Sequence, residues 1–173
     1  KWPTCLPKYK NDKLINKYQF IESMQKELKS NSVVVSDAGS TFYVTSQAFQ
    51  PIKNQRYITS GAQADMGFTL PAAIGAAFAQ KDRMIVGITG DGSFQMNIQE
   101  LQTLIHYKLP VKLVIWNNDG YLSIRTTQKK FFSGREIGTD KNSGVSFPST
   151  KKIASAYNIP YISSKSVYTL RKN

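Results

Sequence analysis

Apolar residues along this chain follow two rhythms. Apolar runs at 33–35, 84–89 and 111–116, the last interrupted by Lys112, read as short buried strands, because they lack regular alternation with polar residues. Elsewhere apolar positions recur every three or four residues. Phe20, Ile21, Met24 and Leu28 mark one helical face over 17–29, and Phe94, Ile98, Leu101 and Ile105 mark another over 93–107. The small-residue turn Asp37-Ala38-Gly39-Ser40-Thr41 opens a helix through Phe49, and 56–59 predicts a further strand. A loop over 61–69 enters a helix over 70–79, whose Pro71 suits a first turn. Ala72, Ala73, Gly75, Ala76 and Ala77 keep that helix thin, so a neighbouring backbone can approach it. Residues 150–157 predict a helix and 161–163 a last strand. Strands alternating with helices predict an α/β fold: a doubly wound, mostly parallel sheet with helices on both faces. The polar stretch 126–148 is too long for an ordinary connection and reads as a functional loop or mobile lid.

Composition changes this picture little. The 173 residues suit one domain, 1–173, with a substantial core, and 40% hydrophobic and 20% charged residues are ordinary for a globular chain. The net charge is +12, but the lysines are scattered, with short pairs only at Lys129-Lys130 and Lys151-Lys152. Scatter favours a solvated basic surface over a nucleic-acid interface. No apolar run has membrane-spanning length, and the polar, proline-interrupted first residues do not resemble a signal peptide. The single cysteine, Cys5, fits a reducing cytoplasm. The chain does not begin with Met and its last residues carry no clear stop, so the expectation is a piece of a longer polypeptide or an expressed domain.

Chemistry collects at two strand ends. The run 84–89 leads into Gly90-Asp91-Gly92-Ser93 and the run 111–116 into Asn117-Asn118, with 24 residues between Gly92 and Asn117. A carboxylate and a carboxamide at neighbouring strand ends supply hard oxygen ligands, and the glycines free backbone N–H groups. Together they suit Mg²⁺ and a diphosphate. Asp91-Gly92 and Asp119-Gly120 are also common turn dipeptides, and Asn117-Asn118 could merely end a strand. No Walker or Gly-x-Gly-x-x-Gly pattern competes for the phosphate.

Gly90-Asp91-Gly92 and Asn117-Asn118 at this spacing resemble the signature of thiamine-diphosphate enzymes. The segment running from Gly61-Ala62-Gln63-Ala64-Asp65-Met66-Gly67 to Gly75-Ala76 is similar to the cofactor-binding stretch of the acetolactate synthase and pyruvate decarboxylase group. The matches run from Val33 to Phe132 and correspond to the diphosphate-binding domain, usually the C-terminal domain of a three-domain subunit.

The resemblance implies roles for particular residues. Asp91 and Asn118 would give side-chain oxygens to Mg²⁺ and Gly120 its carbonyl. Gly90, Gly92 and Ser93, with Ser40 and Thr41, would touch the diphosphate, Gly92 and Ser93 from the start of a helix. Met66 would bend the cofactor, bringing its 4′-amino group to the thiazolium C2–H, while the Ala64 carbonyl and Met66 N–H would hold the aminopyrimidine edge. Read alone, Met66 is a core methionine filling a gap. The implied reaction is decarboxylation of a 2-oxo acid, with or without ligation of the product to a second carbonyl.

Two features depart from the family. No glutamate here sits in a motif matching the one that pairs with the cofactor's N1′; Glu22, Glu27, Glu100 and Glu136 do not. The resemblance places that glutamate on a pyrimidine-binding domain of a partner subunit, which implies a homodimer or homotetramer and a catalytically silent isolated domain. Second, acetolactate synthases usually carry a Trp-Gln pair where this chain has Thr127-Gln128, which leaves acetolactate synthesis itself in doubt. Alternatives stay open: a simple decarboxylase with its pyrimidine-binding domain on a separate chain, or a non-catalytic basic binding module. His106 reads as a helix-end partner for carbonyls, and Arg125 and Arg135 as solvated loop charges that a substrate carboxylate could use.

Overall fold

The computed structural model describes residues 3–11 and 14–166, so the ends of the expected 1–173 domain lie outside the described residues. Four strands, β1 (Val33–Ser36), β2 (Arg56–Thr59), β3 (Ile85–Gly90) and β4 (Val111–Trp116), form one sheet in the order β2-β1-β3-β4. Every pairing is parallel, with Val33 opposite both Arg56 and Ile85, and Gly90 opposite Trp116. The helices are α1 (Lys17–Glu27), α2 (Ser40–Ala48), α3 (Thr69–Ala79), α4 (Asp91–Gln95), α5 (Leu101–His106), α6 (Leu122–Phe131) and α7 (Thr150–Ala156).

The expected doubly wound arrangement follows from the strand composition. All four β1 residues are buried, so both faces of that strand need cover. On one face Val34, Val86 and Ile88 meet Ile21 of α1 and Val44 and Ala48 of α2. On the other, Val33, Val35 and Ile85 meet Ala73 and Ala77 of α3. Leu101 and Leu104 of α5 and Ile153 of α7 extend that second layer. The small residues of α3 do what their size predicts. Thr69 Oγ1 donates to the Ile88 carbonyl at 3.1 Å. A Cβ on Gly87 would stand 2.9 Å from both Leu113 Cδ2 and Thr69 Cγ2.

Three expected elements differ. The single helix over 93–107 is divided into α4, a 3₁₀ turn (Ile98–Glu100) and α5. Asn97 leaves helical geometry at φ −137°, and its side-chain amide donates to the Gly67 carbonyl at 2.8 Å. A tertiary contact displaces helical continuity there. No strand forms over 161–163. Tyr161 and Ile162 are exposed, so β4 remains a sheet edge among the described residues, and it is half-buried with Lys112 exposed, not the buried strand its apolar run predicts. The polar stretch 126–148 begins inside α6 and later holds a 3₁₀ turn (Lys141–Ser143) capped by Asp140. Helix α6 has no buried residue: Ile124 and Phe131 are exposed, so its apolar positions do not pack into the core.

The strand order sets the place of the site. From β1 the chain passes outward to β2, then crosses back to β3 on the other side of β1. The carboxyl ends of β1 and β3 therefore flank the switch point where open α/β sheets form their crevice.

Substituting Gly87 tests the α3–β3 contact. Gly87→Val in the full chain is expected to lower stability by about 1–3 kcal/mol through overpacking, read as a lower urea midpoint. An unchanged midpoint would show that the approach is not tight.

Candidate functional site at the carboxyl ends of the strands

Asp91 follows β3 directly and is 6% exposed. Its Oδ1 accepts from the Gly92 N–H at 3.0 Å. Its Oδ2 accepts from the backbone N–H groups of Asn118, at 3.0 Å, and Gly120, at 3.2 Å. The two motif halves thus converge on one carboxylate, and the level ends of β3 and β4 bring them there. Asp119 and Gly120 both have positive φ, 52° and 138°. A Cβ on Gly120 would fall 2.1 Å from the Thr139 carbonyl oxygen, so only glycine fits.

The donor set suits a hard cation. A carboxylate offers about four lone-pair sites, and Asp91 uses three of them on N–H donors. The Asn118 side chain makes no hydrogen bond among the described residues, and the Gly120 carbonyl accepts only from Leu122 N–H, at 3.2 Å. No group of three or more His, Cys, Asp or Glu side chains capable of holding a metal exists among the described residues. A cation here would depend on amide and backbone oxygens and on ligand oxygens, as Mg²⁺ tolerates and softer metals do not.

Around Asp91 the loops are bound together by Asp37, at the end of β1 and fully buried. Its Oδ1 accepts from the Ala38 N–H and Thr41 Oγ1, at 2.7 and 2.9 Å. Its Oδ2 accepts from Thr89 Oγ1, at 2.8 Å, and from Ser93 Oγ. Ser93 Oγ accepts in turn from the Gly67 N–H at 2.7 Å, which ties the loop carrying Ala64 and Met66 to α4. The hydroxyls of Thr41 and Ser93 are therefore engaged within the protein, and contact with a ligand would fall to their backbone N–H groups. Ser40 Oγ accepts from Lys17 Nζ at 2.7 Å. Ala64 is held at φ 52°, a left-handed conformation uncommon for alanine and characteristic of constrained sites. Met66 is half-buried beside the docked Gly67. The Gly92 Cα is covered by aromatic carbon: a Cβ there would meet Tyr121 Cε1 at 2.5 Å and Phe147 Cζ at 3.1 Å.

Arg125 has a different role from a loose loop charge. Its Nη2 donates to the Asn118 carbonyl at 3.0 Å and its Nη1 to Asp140 Oδ2 at 3.2 Å. Asp140 also accepts from the N–H groups of Asn142 and Ser143, and Tyr121 N–H donates to the Thr139 carbonyl at 2.7 Å. The Ser143 hydroxyl, and then Arg125, hold the Asp140 carboxyl below its usual pKa range. Segment 138–143 so braces the Asn118–Gly120 turn from behind. Arg135 and His106 are exposed, the His106 ring lying edge-on to Tyr107, and Glu100 accepts from Thr103 Oγ1 at 3.1 Å. No motif singles out Asp37, Lys17 or Asp140; the one available signal is that Asp37 lies one residue beyond an apolar run, as Asp91 does.

Comparison with known proteins fits this geometry. The model of the family described as thiamine pyrophosphate enzyme, C-terminal TPP binding domain, matches residues 37–172. The chain belongs to this family. Among relatives of this TPP-binding domain, the acetolactate synthase large subunit of Porphyra purpurea is 36% identical over 133 residues, 77% of this chain and 22% of that protein. The acetolactate synthase isozyme 3 large subunit of Escherichia coli (strain K12) is 35% identical over 153 residues, 88% of this chain and 26% of that protein. The domain therefore spans about a quarter of the length of these relatives. The thiamine diphosphate-dependent 4-hydroxybenzoylformate decarboxylase of Rhodococcus jostii RHA1 shares the fold, with a TM-score of 0.80 at 23% identity over 99% of this chain and 31% of that one.

Removing the Asp37 carboxylate strands four donors at the mouth of this TPP-binding domain. Asp37→Ala is expected to cost about 3 kcal/mol or more in a denaturant titration of the full chain. Asp37→Asn should cost less, because the amide keeps one acceptor. Equal, small losses for both would show that the buried hydrogen bonds contribute little.

Proposed function

We propose that this TPP-binding domain holds thiamine diphosphate through Mg²⁺ as part of an enzyme that decarboxylates a 2-oxo acid, with or without ligation of the product to a second carbonyl. The observation that carries the reading is Asp91 Oδ2 accepting from both Asn118 and Gly120, which collects the proposed metal oxygens at one turn. Asp91, Asn118 and Gly120 would hold the metal. Ser40, Thr41, Gly90, Gly92 and Ser93 would face the diphosphate, largely through backbone N–H groups. Ala64 and Met66 would hold and bend the remainder of the cofactor. When bound, thiamine diphosphate supplies the nucleophile and electron sink for breaking a bond beside a carbonyl. The protein's share is placement and charge.

No residue here resembles the family's N1′ glutamate, so the complete site would take a pyrimidine-binding domain from a partner subunit, in a homodimer or homotetramer. The compartment proposed is the cytoplasm, on the single Cys5. No helix among the described residues is long and apolar enough to cross a membrane. For the product, Thr127 supports a larger or more hydrophilic second substrate, or none. It is exposed on α6 with its hydroxyl donating to the Ser123 carbonyl at 3.1 Å, where acetolactate synthases usually place an aromatic ring.

Two measurements test the reading. In the full-length protein, Asp91→Ala or Asn118→Ala should weaken Mg²⁺-dependent thiamine diphosphate binding by at least about ten- to hundredfold in calorimetry. Unchanged affinity in folded variants would remove these residues from the metal site. The 173-residue chain alone, given Mg²⁺ and thiamine diphosphate, should not accelerate C2–H/D exchange of the cofactor. Rapid protein-dependent exchange would show that no second domain is required.

A further inference from the structure

Lys17 is the first residue of α1, where a cation is least favoured because the positive end of the peptide dipoles lies there. Its side chain nevertheless folds inward instead of extending into solvent. Nζ donates to Ser40 Oγ at 2.7 Å and stands 5.4 Å from the centre of the Trp116 ring, the residue immediately before Asn117. Burial lowers the ammonium's pKa, and the nearby Asp91 carboxylate opposes that shift. Yet Lys17 and Asp91 are not in ion-pair contact; the ion pairs among the described residues are Arg125–Asp140 and Lys129–Glu136. A half-buried cation thus lies where Ser40 and Asp91 converge, against local helix preference and at a desolvation cost. Such a local conflict, unrelieved by a direct counter-ion, points to a ligand.

The donor count agrees. An ammonium has more N–H donors than Ser40 uses, and Nζ makes no other hydrogen bond among the described residues. Charge points the same way. A diphosphate ester carries more negative charge than one Mg²⁺ neutralises, and Asp91 adds to the excess. An ammonium on a flexible stem suits that remainder as a point charge.

We propose that Lys17 is a cofactor-binding residue, its ammonium donating to a terminal phosphoryl oxygen of a diphosphate seated between Ser40 and Asp91. This rests on the reading of the domain as a thiamine diphosphate site. It assigns α1, outside the signature motifs, a part in holding the anion. Lys17 then neutralises charge on the side of the diphosphate facing α2, while the metal does so on the side facing Asn118.

The test uses the full-length protein and Lys17→Met, which keeps an apolar stem against Trp116 and removes the charge. Calorimetry with Mg²⁺ reads affinity for thiamine diphosphate and for inorganic pyrophosphate. Loss of one charge-assisted hydrogen bond should weaken both by about ten- to hundredfold and flatten their salt dependence, with Lys17→Arg recovering part of the loss. A folded Lys17→Met protein with unchanged affinities would show that Lys17 only straps α1 to α2, overturning the proposal. Amine acetylation of the wild-type protein, read by mass spectrometry, does not depend on the variant folding. Mg²⁺ pyrophosphate should protect Lys17, and undiminished labelling at saturation would overturn the proposal. Failure of the wild-type protein to bind thiamine diphosphate would instead overturn the reading on which it rests.

Discussion

A carboxylate taken out of water must have its lost hydration replaced, and Asp37 has it replaced by four hydrogen bonds with no ion-pair partner among the described residues. Those bonds come from three places: the turn after β1 with the start of α2, the end of β3, and α4. Because each donor must stay in reach, the turn carrying Ser40 and Thr41 and the segment carrying Asp91 cannot move independently. Ser93 passes the constraint on to Gly67 and so to the loop of Ala64 and Met66. The geometry of the proposed cofactor site depends on this buried group, which itself need not touch a ligand.

Support for the Asn118–Gly120 turn is arranged differently. Its backbone is unusual, with consecutive positive φ at Asp119 and Gly120, and such a turn keeps its shape only when held from several sides. Asp91 holds the N–H groups of Asn118 and Gly120 from the front. Arg125 holds the Asn118 carbonyl from behind and is itself fixed by Asp140. The paired strands beneath prevent the turn from sliding along the sheet. What remains uncommitted is the Asn118 carboxamide and one lone-pair direction of Asp91, the parts a metal would use.

Electrostatics completes the arrangement. The mouth of the sheet gathers one carboxylate at Asp91, one ammonium at Lys17, and many backbone N–H groups. A ligand that is both anionic and metal-bound satisfies all three, which no neutral molecule of similar size would do. Ile124, Phe131 and Phe132, on and after α6, are exposed, and a Cβ on Gly39 would stand 3.1 Å from Ser123 Oγ. That helix has no buried residue of its own and is tied to the site mainly through Arg125 and Tyr121.

By itself the sequence determined the layered α/β class, the four strands of the sheet, and the two motif halves that meet at Asp91. Each of these is written in local pattern. Apolar runs demand burial on two faces, and glycines beside Asp91 and Asn118 mark backbone turns. Tertiary structure decided the rest. It broke the helix after Gln95, because Asn97 gains more by bonding Gly67 than by continuing the turn. It made α6 a helix with no residue in the core and left Tyr161 and Ile162 outside the sheet. It also chose the partners of Asp37, Lys17 and Arg125, whose bonds span 52, 23 and 15 residues at Thr89, Ser40 and Asp140. A charged side chain carries no periodicity that names a partner so far along the chain; only the closing of the sheet brings the two together.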